Sequence, residues 1–64
     1  MRSDLIDLTL IKVHETDKAV LFKETEDDDG VWLPKSAIEV EPTRDPRVFT
    51  VTLPEYLAAE KGLV

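Results

Sequence analysis

Five carboxylates in six positions, Glu24, Glu26, Asp27, Asp28 and Asp29, closed by Gly30, are the densest concentration of reactive groups in this chain. Oxygen-rich turns are where hard cations such as Ca²⁺ or Mg²⁺ bind. Here the alternating ligand order of a helix–loop–helix calcium site is missing, as is its downstream bidentate glutamate. Two further readings stand. The run is a solvated hairpin tip, or it is a row of carboxylates that imitates phosphates and fills a basic groove on another protein.

The remaining polar groups offer less chemistry. His14 is the single histidine, flanked by Glu15 and Asp17, and no Ser has the context of a nucleophile. General-base or covalent catalysis needs such a pair in space, so His14 reads as a surface turn residue and no enzyme is expected. One His and no Cys exclude the usual zinc sets, and no cofactor is implied. Trp32, the only tryptophan, precedes Leu33-Pro34-Lys35-Ser36. The preferred reading places Trp32 in the core, with Lys35 facing solvent and Ser36 closing a turn. The other makes Trp32, Lys35 and Ser36 an exposed contact patch. On both, Pro34, Lys35 and Ser36 are candidates for a surface that a partner reads. Arg44 and Arg47 flank Asp45-Pro46 and read as loop-solubilising charges, or as a grip for a partner's carboxylate.

The elements that must position these groups are short strands. Leu5 to Val13 begins with Ile6, Leu8 and Leu10 on one face at period two, then slips phase, with Ile11 and Val13 apolar around Lys12. A bulge or strong bend that turns Ile11 and Val13 inward accounts for the slip. His14 to Lys18 reads as a hairpin connection, Ala19 to Lys23 as a second strand, and the acidic run as a second turn. Asp29-Gly30 before Val31 is a good hairpin signal, because Gly accepts positive φ. Val31 to Leu33 is a third strand, halted by Pro34; residues 34–37 fit one 3₁₀ turn, and Ile38 to Glu41 alternates as a fourth strand. Glu41 to Arg47 holds two prolines and reads as loop. Val48 to Leu53 alternates cleanly, with Phe49, Val51 and Leu53 on one face. A short helix follows at about residues 54–61, with Thr52 and Glu55 at capping-box spacing, Pro54 early and Gly62 as the stop. Together these predict a mainly β domain over residues 1–64, a small five-stranded antiparallel barrel or strongly bent sheet with one C-terminal helix.

Composition bounds the function. At 64 residues the chain makes one domain with a small core, and without cysteine no disulfide supplements it. The net charge is −6, with nine of the 14 acidic residues before position 33. Such a field repels phosphate backbones and disfavours direct binding of DNA or RNA. No apolar run approaches the length needed to cross a bilayer, so no membrane partner is expected. Met1-Arg2-Ser3-Asp4 lacks the character of a signal peptide, and the chain reads as a complete cytoplasmic protein.

Two resemblances add to this. Trp32-Leu33-Pro34-Lys35-Ser36-Ala37-Ile38 resembles the end of the Src-homology-3-like barrels, where an aromatic-bearing strand passes through a 3₁₀ turn into a final strand. The aromatic-rich loop with which such domains grip proline-rich peptides is missing, so that activity is not implied. More of the chain resembles small phage and prophage proteins. They pair an ETDKAVLF-like strand (Glu15 to Phe22) with a WLPKSAIEVE segment (Trp32 to Glu41) and end in LPEYLAAEKGL (Leu53 to Leu63). That resemblance implies a phage or mobile-element origin, with the cytoplasm of a host cell as the expected location, and it transfers no active site.

The expected function is therefore a non-enzymatic, acidic accessory protein that binds a protein partner, a basic one where the acidic run takes part. Inhibition of a host nucleic-acid-binding complex by surface occlusion is its sharpest form. Glu24, Glu26, Asp27, Asp28 and Asp29 would steer, and Pro34, Lys35 and Ser36 would contact. The alternative is a structural or regulatory subunit of a homo-oligomer or a larger phage assembly, with Tyr56 and Leu57 as contacts. Monomer and homodimer stand equal.

Overall fold

The first strand is the axis of the molecule. In the computed structural model, which describes residues 4–64, the elements in chain order are β1 (Leu5–Glu15), β2 (Ala19–Lys23), β3 (Val31–Pro34), a 3₁₀ turn (Lys35–Ala37), β4 (Glu39–Pro42), β5 (Val48–Pro54) and α1 (Glu55–Glu60). The reading of Met1 to Ser3 as lacking a targeting signal lies outside the described residues. All five strands form one antiparallel sheet in the order β3-β2-β1-β5-β4. β1 pairs with β5 from Leu5 to Ile11 and with β2 from Ile11 to Glu15, so it belongs to both wings.

Between Lys12 and His14 the register shifts: Lys12 faces Phe22 and His14 faces Leu21, which leaves Val13 without an opposing residue. Such a bulge bends its strand and strengthens the local twist, which folds the two wings toward one another. It does not have the expected result. Lys12 keeps the inward parity of Leu8 and Leu10, Val13 is 49% exposed, and Glu15 is the next inward residue, opposite buried Val20. The slip thus points Lys12 and Glu15 inward rather than Ile11 and Val13.

The sheet is strongly bent and open. β3 and β4 are its two edges, joined through the 3₁₀ turn but not paired with each other, so the closed-barrel form is not adopted. Both wings nonetheless feed one core, built from Leu10, Val20, Phe22, Leu33, Val51 and Leu53. Each occupies the inward phase of its strand, as the clean alternation of β5 requires.

Trp32 is not in that core. Val31 and Leu33 pair with Phe22 and Val20 on the inner face, so strand parity sends Trp32 outward beside Leu21, and it is 44% exposed. β4 begins at Glu39; Ile38, extended, caps the 3₁₀ turn by donating its amide to the Lys35 carbonyl and packs on the core. The capping box does not form either. Thr52 lies in β5 and its hydroxyl donates to Asp7 Oδ1 across the strand pair at 2.5 Å, while the Glu55 amide donates to the Asp4 carbonyl. At the far end Gly62 adopts φ +77°; its amide donates to the Ala59 carbonyl and that of Leu63 to Ala58, which folds Leu63 into the core. No helix among the described residues is long and apolar enough to cross a membrane.

Candidate functional site

The acidic turn is built to hold its shape. Gly30 enters β3 with φ +89°, and a Cβ there would sit 3.1 Å from the Phe22 carbonyl oxygen and the Leu21 side chain. Asp28 Oδ2 accepts the Glu24 amide at 3.2 Å, and the Asp28 amide donates to the Thr25 carbonyl. Glu26 pairs with Arg47 at 3.1 Å and with Lys23 at 3.4 Å. Arg47 thus grips a carboxylate of its own chain. Of the five acidic side chains, Glu24, Asp27 and Asp29 are left facing solvent without a side-chain partner among the described residues. No group of three or more acidic or His side chains among the described residues is placed to hold a metal ion.

Pro34, Lys35 and Ser36 lie at the other end of β3. A four-residue strand separates the corner from the turn, roughly 13 Å of chain. The two candidate segments therefore do not form one continuous patch. Pro34 pairs with Ala19 and ends the strand, the Lys35 amide donates to the Lys18 carbonyl, and Ser36 is exposed.

Between the two segments lies an outer face that the sequence reading set second. Trp32, Leu21 and His14 form a row across β3, β2 and β1, with the His14 ring edge-on to Trp32 at 6.0 Å. Val13, pushed out by the bulge, adds apolar surface beside His14. The acidic turn joins this row through Gly30 and Val31. Tyr56 and Leu57 separate: Leu57 is buried in the chain's own core and cannot contact another chain, whereas Tyr56 is 68% exposed.

A second feature occupies the inner face. Glu15 receives Lys12 Nζ at 2.6 Å and Lys35 Nζ at 2.5 Å. Hydrogen bonds from Lys12 and then Lys35, reinforced by their charges, lower the Glu15 pKa from its ordinary 4.5 to about 2. Lys12 also stands 5.3 Å from the centre of the Phe49 ring. These three charged groups rim a groove of about 260 Å³ whose floor includes Phe22, Ile38, Val40 and Phe49. Sequence reasoning missed this cluster. Its one signal was Lys12, where the inward row Ile6, Leu8 and Leu10 turns polar.

Comparison with family models, with curated proteins and with solved structures finds no match to this chain.

Proposed function

We propose that this chain is a non-enzymatic accessory protein of the phage type that acts in a host cytoplasm by covering a surface of a protein partner. The observation that carries this reading is Trp32, held outward on a three-strand platform and braced by His14. A half-exposed tryptophan in a small apolar patch is the residue class that anchors protein interfaces. Beside it, Glu24, Asp27 and Asp29 project from a braced turn with no side-chain partner among the described residues, in a chain whose net charge is −6. Carboxylates at the rim raise association rates with a basic partner and set orientation, while the aromatic supplies affinity. A protein whose basic groove otherwise holds a nucleic-acid backbone is the partner class this favours, and occlusion is the mechanism. Pro34 and Ser36 then border the far side of the same face, while Lys35 turns to Glu15 on the inner side.

The test is capture from a bacterial host lysate with three baits in parallel: native protein, Trp32→Thr, and Asp27→Lys with Asp29→Lys, which leaves the Asp28 brace of the turn in place. The reading expects a discrete partner on native bait, its loss with Trp32→Thr, and salt-sensitive weakening with the lysine variant. Equal capture by all three, with each variant folded by circular dichroism, would overturn it.

A second reading rests on Tyr56 and Val64, 68% and 65% exposed at the helix. It makes the chain a subunit of a homo-oligomer or a larger phage assembly. Sedimentation of native protein and Tyr56→Ser over a concentration series decides it. Self-association that Tyr56→Ser removes favours the subunit; a monomer throughout rules out the homo-oligomer.

A further inference from the structure

One end of the bent sheet is plugged and the other is not. α1 follows β5 at Pro54, and its Leu57 and Ala58, with Leu63, fill that end of the core. At the opposite end of β5, Phe49 borders the open groove. Two properties of the groove select its occupant. The floor is aromatic and branched aliphatic, which calls for an apolar body. The rim holds two ammonium groups against one carboxylate, a local charge of +1 on a chain of −6.

The ammonium groups are not exhausted by Glu15. Each has three N–H donors, and in the structure each gives one to Glu15. Their side chains are 36% and 37% exposed, so an incoming anion reaches them from solvent. Glu15 meanwhile stays ionised at any ordinary pH and holds both lysines at the rim. The bulge at Val13 makes this possible, because it sets Lys12 and Glu15, three residues apart, on the same inner face.

The geometry points to a binding site for a small amphiphilic monoanion: a carboxylate on an aromatic ring or short branched chain, its ring on Phe49 and Val40 and its carboxylate on the N–H donors that Glu15 leaves over on Lys12 and Lys35. At about 260 Å³ and open on one side, the groove has room for one ring and a short linker. A polyanion such as a nucleotide is disfavoured by the single net charge of the rim and the negative field of the chain.

The probe is 3-phenylpropionate, titrated into the ¹⁵N-labelled 64-residue chain and followed by amide shifts. The neutral 3-phenylpropionamide and plain acetate are titrated in parallel. Saturable shifts at Ile38, Val40 and Phe49 are expected for the carboxylate, with the amide and acetate each at least about tenfold weaker, the loss of a charge-assisted contact or of the ring. Glu15→Gln, which frees both lysines, strengthens binding severalfold, and Lys35→Met weakens it. Equal binding of the amide means the groove reads only apolar bulk; equal binding of acetate means only ion pairing. Either result, or no saturable shift with any probe, overturns the proposal. The three probes act on the native protein, so the decision does not depend on any variant folding.

Discussion

Glu15 gives the sharpest test of the charge arrangement at the groove. In the folded chain two ammonium groups lie at 2.5–2.6 Å from its carboxylate oxygens, and its pKa falls from 4.5 to about 2. At about pH 3.25, midway, a carboxyl at about 2 is roughly 95% ionised and one at 4.5 roughly 5%. A ¹³C titration of the glutamate side chains therefore finds Glu15 charged where ordinary carboxyls are protonated. The sign for stability follows. A depressed folded pKa contributes stability that is fully present above the unfolded value of 4.5 and is lost as pH falls through about 2. Glu15→Gln removes that acid-side loss between about 4.5 and 2 while other carboxylates continue to titrate. Because the side chain is 40% exposed, salt screens the effect, and at about 1 M ionic strength the midpoint climbs toward its ordinary value. Lys35→Met raises the midpoint at low salt. A Glu15 midpoint at 4 or above in low salt, or one that Lys35→Met leaves in place, would refute the geometry of the rim.

Two further outcomes read the fold. Leu33→Ala costs about 2–5 kcal/mol by chemical denaturation, since Leu33 is fully buried, whereas Trp32→Thr at the adjacent outward position costs less than half of that. Gly30→Ala and Gly62→Ala each carry about 1–2 kcal/mol for positive φ, but only Gly30 adds close contacts, so its melting temperature falls further.

Where local pattern has one solution, the sequence displayed it. Alternation across Phe49, Val51 and Leu53 located β5 and its buried face, Asp29-Gly30 located the second hairpin, and Gly62 located the helix stop. Where three apolar residues run together, as in Val31-Trp32-Leu33, no phase is visible. The pairing with β2 then decides, and it sends the largest side chain outward. Hydrophobicity alone favours Trp32 as core. The bulge at Val13 was legible as a slip but not as a register, because which residue drops out depends on the partner strand. That single choice created the Lys12–Glu15–Lys35 cluster, whose members are separated in sequence and meet only through β1 and the 3₁₀ turn. Thr52 shows the same lesson from the other side. Its capping-box spacing was real, but Asp7 on the neighbouring strand takes its hydroxyl first.

The central claim is that Trp32 forms an outward anchor for a protein partner and adds little to the fold. It is tested most directly by calorimetric titration of the captured partner against native protein and Trp32→Thr, with unfolding of both measured in the same buffer. The account expects at least about a thirtyfold loss of affinity, roughly 2 kcal/mol, with the variant still folded at the assay temperature. Affinity within twofold of native from a folded variant would contradict it, and would move the contact surface away from the outer face of β3.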